Sequence, residues 1–147
     1  MSQLSNKDWL LMALEHGHRL QPVQLQKSLF LLGRNLSPEK LQNDSFYKFE
    51  AYDYGPFCGE VYKDAEALEG NGMIAIMRPP LVRFNIYEIT DLGTEHARAL
   101  RKSLDEATTS YLDAVVDFTK SLSFTELVSA IYKAYPEMRE KSVFREP

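Results

Sequence analysis

The chain has 147 residues, 44% of them hydrophobic and 26% charged, and a net charge of −4, which suits one globular domain with a sizeable core. That sign opposes bulk phosphate neutralisation as a means of holding nucleic acid; no apolar run approaches a membrane span, and no basic-then-apolar start suggests a secretion signal. The single cysteine, Cys58, cannot form an internal disulfide, so a reducing cytoplasm is the expected setting.

Ser5 or Asn6 can cap a first helix running to about His16, with Trp9, Leu10, Ala13 and Leu14 at helical spacing. Gly17 ends it. Gln21-Pro22 opens a second helix carrying Val23, Leu25, Leu29, Phe30 and Leu32, closed by Gly33 and Ser37-Pro38. Residues 38–48 have room for one short helical turn. An aromatic approach, Phe46 to Tyr54, then ends at a Tyr54-Gly55-Pro56 corner. Gly permits backbone angles that other residues resist, and Pro at a helix start loses no needed N–H. The spacing of Val61, Tyr62, Ala65 and Leu68 predicts a third helix from about Pro56 to Glu69.

Met73 to Met77 and Phe84 to Ile89 read as two short strands joined by a turn over 78–83, a hairpin placed where a winged helix carries its wing. Thr90 or Asp91 starts a long helix. Ala97, Leu100, Leu104, Ala107, Tyr111, Ala114 and Phe118 recur at steps of three and four, as either a homodimer seam or a face laid along the domain itself. Ser123-Phe124-Thr125-Glu126 is a capping box opening a last helix, which Pro136 stops. The expected fold is α+β and mostly helical: one domain over 1–147, winged-helix-like over 5–92 with one β-hairpin, then the long and last helices over 93–136 and a tail over 137–147.

Two resemblances follow from these motifs. Leu25-Gln26-Lys27-Ser28-Leu29-Phe30, Tyr54-Gly55-Pro56-Phe57 with Glu60-Val61-Tyr62, and Ser123-Phe124-Thr125-Glu126-Leu127 resemble the Panacea antitoxin family of phage-associated bacterial proteins. That resemblance implies a regulatory, antitoxin-like protein that pairs with a toxin through protein contacts. Leu68-Glu69-Gly70-Asn71-Gly72-Met73-Ile74 followed by Tyr87-Glu88-Ile89-Thr90-Asp91-Leu92-Gly93 resembles winged-helix transcription regulators, where a recognition helix leads into a wing.

The third helix would occupy the recognition position, yet its polar residues are Glu60, Lys63, Asp64, Glu66 and Glu69. Carboxylates there oppose phosphates, and base readout relies mainly on Arg, Lys, Asn and Gln; a protein partner with a basic patch fits better. The candidate partner-binding set is Tyr52, Tyr54, Phe57, Glu60, Lys63 and Asp64. The aromatic group of Tyr47, Phe49, Tyr52, Tyr54 and Phe57 is either core beneath a loop or an anchor surface. Arg78, Arg83 and Lys27 are the candidate nucleic-acid contacts; the two arginines otherwise read as solvated charges at a hairpin tip. The tail, with Lys133, Arg139, Lys141 and Arg145, balances its charge with glutamates and reads as solvated or partner-binding.

His16, His18 and His96 lack partners at zinc spacing, so no metal site is expected. Cys58 reads as a buried small residue. No P-loop, dinucleotide turn or nucleophile elbow is present; no cofactor is expected, and the preferred reading is a non-catalytic protein-interaction module. A dimeric winged-helix DNA-binding regulator is the alternative.

Overall fold

The computed structural model describes residues 3–144. Its first helix, α1 (Asn6–Gly17), begins at Ser5, whose hydroxyl accepts from the Asp8 N–H while the Asp8 carboxylate accepts from the Ser5 N–H. This reciprocal pairing satisfies donors that a helix start otherwise leaves open. Trp9 through Leu14 are all buried, so α1 is the central rod of the domain rather than a helix with one wet face. The Trp9 indole donates to the Leu41 carbonyl at 2.8 Å, which fixes α3 (Pro38–Leu41) over it.

Between them run β1 (Arg19–Leu20) and α2 (Pro22–Asn35). Pro22 stands at the first turn of α2, where its missing N–H costs nothing. The helix continues through Gly33, and its residues from Leu25 to Leu32 are buried. That unbroken stretch includes Gln26, Lys27 and Ser28, three polar residues that need internal partners. Ser28 finds one in Thr119 at 2.9 Å.

The aromatic segment folds as a hairpin of its own. β2 (Glu50–Tyr52) pairs antiparallel with β3 (Gly55–Phe57), Ala51 opposite Pro56 and Tyr52 opposite Gly55. Pro56 therefore lies in a strand, and α4 (Gly59–Gly70) starts three residues later with Cys58 as its N-cap. The expected start at Pro56 is corrected for a physical reason. The missing Pro56 N–H is as harmless in a two-stranded edge hairpin as in a helix's first turn, so sequence chemistry alone leaves both open. Gly55 has φ +101°, the left-handed region that the tight Asp53-Tyr54 turn demands and glycine supplies.

α4 leads into β4 (Ile74–Met77) and β5 (Ile86–Ile89), which pair antiparallel with Ile76 opposite Tyr87. β1 joins the other edge of β5, giving a three-stranded sheet in the order β1-β5-β4. The single expected hairpin is thus two separate β units. Phe84, read from sequence as strand, lies in the long connection between β4 and β5.

The long helix is also corrected. It divides into α5 (Asp91–Arg101) and α6 (Glu106–Ser121). Asp105 caps α6 by accepting from the Thr108 N–H at 2.7 Å, and its carboxylate also pairs with Lys40 of α3 at 2.7 Å. A strong N-cap tied to a neighbouring helix ends one helix and begins another. The regular seam consequently does not exist as one stripe. Ala97 is buried on α5, but Ala107, Ala114 and Phe118 face outward, and α6 buries Thr108, Leu112, Val115, Val116 and Thr119 instead.

α7 (Phe124–Ala134) opens with the Ser123–Glu126 capping box that its sequence spelled out. A short 3-10 turn, Pro136–Arg139, follows. The chain then folds back: the Val143 N–H donates to the Asp53 carbonyl at 2.9 Å. Arg139 lies over the Tyr132 ring, while Arg145 is outside the described residues. The domain is α+β and mostly helical, and among the described residues no helix is long and apolar enough to cross a membrane.

Candidate binding cavity

Two consecutive α2 residues hold the β2–β3 hairpin and the start of α4. The Gln26 side-chain amide donates to the Cys58 carbonyl at 2.9 Å and accepts from the Cys58 N–H at 3.0 Å. It thus presents the same donor–acceptor pair that a neighbouring strand would. Lys27 donates from Nζ to the Pro56 carbonyl at 3.2 Å. The Leu25-Gln26-Lys27 and Gly55-Pro56-Phe57-Cys58 segments, far apart in sequence, form one polar joint inside an apolar setting.

Beside this joint is a cavity of about 400 Å³, bounded by the start of α2, the β2–β3 turn, the β4–β5 connection and the first residue of α7. Its walls include Val23, Gln26, Lys27, Tyr52, Tyr54, Phe57, Tyr62, Phe84 and Phe124. Tyr52 stacks on Phe57 at 4.9 Å between ring centroids, and Tyr54 meets Phe124 edge-on at 5.2 Å. Such offset and T-shaped contacts are the preferred geometries of aromatic pairs. Tyr52, Tyr54, Phe84 and Phe124 remain 51%, 45%, 38% and 43% exposed, so they form an open rim rather than a sealed core. The size and apolar lining with a few polar groups are those of a ligand pocket.

Burial governs the titration of the cavity's deeper groups. It pulls the Lys27 ammonium down from 10.5 to about 8, because a charge removed from water loses its hydration. It pushes the Tyr62 phenol up to about 12, against a lesser opposing effect from its hydrogen bond with Gln26. Behind Gly55, the Tyr132 hydroxyl is buried with no hydrogen-bond partner among the described residues. A Cβ built on Gly55 would come within 3.3 Å of the Tyr132 ring and 3.6 Å of Lys27 Cε.

The structure brings together four of the residues singled out from sequence: Tyr52, Tyr54, Phe57 and Lys27. Lys27, a candidate nucleic-acid contact from sequence, is corrected in its placement: it is 4% exposed and lies within the cavity wall, not on the outer surface along which a duplex backbone would run. Glu60 and Lys63 are exposed on α4, away from the cavity lining. Asp64 accepts from the Tyr47 hydroxyl; burial first, and then this bond, raises the Tyr47 pKa. Arg78 is paired with Glu69 at 3.3 Å. Arg78 and Arg83 border an adjoining hollow of about 390 Å³ that shares Pro22, Tyr62 and Phe84 with the first.

Gln26, Tyr62, Phe84 and Phe124 escaped notice as site residues. Phe124 carried no signal: at i, i+3, i+4 and i+7 it shares the helix face of Leu127, Val128 and Ile131 and reads as core, yet at the first turn of α7 it is left 43% exposed. His16 is occupied by Asp113 and Asp117 at 3.2 and 2.9 Å, and among the described residues no three His, Cys, Asp or Glu side chains gather as a metal site.

The chain matches no protein-family model, no curated protein and no solved structure.

Proposed function

We propose that this protein is a non-catalytic binding module that takes a side chain or chain end of a protein partner into the aromatic cavity, in an antitoxin-like or phage-defence-associated regulatory role. The observation that carries this reading is the half-exposed aromatic rim around a preformed apolar cavity. Rigid aromatic anchors beside a desolvated pocket are where interface energy concentrates. The order of elements, with β1 pairing to the second strand of the β4–β5 hairpin, supports describing the body as winged-helix-like with β2–β3 inserted before α4. On that description α4 holds the recognition position. Its outward Glu60 and Glu66 and the Glu69-bound Arg78 favour a protein partner over DNA.

Selection from a phage-displayed random peptide library tests the reading. The wild type is expected to enrich peptides with an aromatic or branched aliphatic anchor, and a Tyr54→Ala, Phe124→Ala double variant is expected not to. Equal enrichment by both proteins overturns the site. Sub-micromolar, sequence-dependent gel shifts on duplex DNA at physiological salt would overturn the protein-partner reading in favour of a DNA-binding regulator. Co-expression with the product of the adjacent reading frame tests the toxin pairing.

A further inference from the structure

Among the described residues Lys27 is the one cation on the cavity wall, and its acceptor is a single carbonyl, that of Pro56. Among the described residues no carboxylate forms an ion pair with it. An ammonium carries three N–H donors, and among the described residues only one of the three has a protein acceptor. Leaving a buried donor unmade costs more than an ordinary hydrogen bond returns, and the cost is larger for a charged group. A ligand that supplies the missing acceptor therefore gains what the fold leaves unmet.

The charge of the lining selects the ligand class. Among the described residues its only charged side chains are Lys27 and Asp53, with no arginine fork. A phosphate dianion would exceed the positive charge present, whereas one carboxylate matches one ammonium. The remaining space lies between the rings of Tyr54, Phe57, Phe84 and Phe124, which fits an aromatic or branched apolar body.

We infer that Lys27 is the anchor of a carboxylate-binding site, and that its occupant is the C-terminal residue of a partner chain, apolar in side chain and free at its α-carboxylate. The inference rests on the partner-binding reading above and names the part of the partner that enters. The open mouth favours a chain end over a small free acid, because residues preceding the terminal one can leave across Tyr52 and Phe84. Asp53, in the turn at the rim, repels the ligand's charge and so weakens binding without defining it.

Binding of N-acetylphenylalanine, N-acetylphenylalaninamide and phenylalanine, followed by amide shifts of Gly55 and Phe57, tests this. The acid is expected to bind roughly tenfold or more tighter than the amide, the worth of one charge-assisted hydrogen bond. In Lys27→Met the two should bind alike, and Asp53→Asn should tighten the acid while leaving the amide unchanged. Equal binding of acid and amide by wild type, an acid preference that survives in Lys27→Met, or no shift with either probe overturns the inference. Should Lys27→Met not fold, the wild-type ratio and Asp53→Asn still decide. Tighter binding of free phenylalanine than of its N-acetyl form assigns the site to a free amino acid and overturns the chain-end occupant. Library-selected peptides separate the two proposals. If they bind equally well as C-terminal amides, the carboxylate site falls while the partner-binding reading stands. If the small acid binds and no peptide does, the partner reading falls instead, and the chain-end assignment with it.

Discussion

Arg101 and Lys27 are both cations drawn into the body of the domain, and the fold treats them in opposite ways. Arg101, its side chain 14% exposed, donates to Glu15 at 2.7 Å and to the Met12 carbonyl at 3.1 Å, and pairs with Asp113 at 3.0 Å. It ties α1, α5 and α6 together. Lys27 is more deeply buried and has a single carbonyl. A cation met from every side is a clamp. A cation met from one side, against an open cavity, is a recognition group held ready.

The comparison can be broken from the clamp side first. Arg101→Met should cost about 3 kcal/mol, because Glu15 and Asp113 lose their nearest cation and are left with only Arg98 at 4.0 Å and His16 at 3.2 Å. Urea unfolding measures this, and a loss under about 1 kcal/mol would mean the clamp is a solvated surface pair. Next is the corner above Lys27. Gly55→Val should destabilise by about 2 kcal/mol, since a β-branched residue resists φ +101° and its Cβ would press on Tyr132. An unchanged melting temperature would show that the turn relaxes freely.

Lys27→Met should act with the opposite sign, stabilising by about 1 kcal/mol at neutral pH, as removing a poorly paired buried charge often does. The pH dependence sharpens it. Burial lowers the folded-state value to about 8, while the unfolded chain keeps its proton to about 10.5. Between these values the unfolded state binds more protons, so wild-type stability should rise with pH relative to Lys27→Met, and the gap should close above about 10.5. A constant gap from pH 7 to 10.5 would place Lys27 in water. The smallest effect belongs to Tyr54→Ala, expected within about 0.5 kcal/mol of wild type in stability, since its ring is half exposed. A large destabilisation there would make the rim part of the core.

Much of the fold was legible where one residue does one local job. Ser5, Thr90 and Ser123 each cap the helix that their sequence context announces. The sequence was ambiguous where one residue serves two structures equally. Pro56 suits a helix start and an edge strand, and only the side chains of Gln26 and Lys27, about thirty positions away, decide between them. The regular spacing from Ala97 to Phe118 looked continuous because apolar periodicity does not register a cap; Asp105 interrupts it through a contact with Lys40. Of the cavity, the aromatic rim was visible as composition. Its anchor was not, because a lysine inside a helical run reads as a solvated position until the structure shows that the whole of Leu25–Leu32 is buried.

Gln26 has a further consequence at the boundary of the β2–β3 hairpin. Exposed strand edges invite another chain to add itself in register, the common route to fibres and swapped dimers. Here a side-chain amide occupies the backbone groups of Cys58 just past the end of β3, so an incoming strand finds that position filled. A helix residue has taken the place of a strand. The hairpin is thereby guarded against self-association at the point where it offers its rings to other molecules.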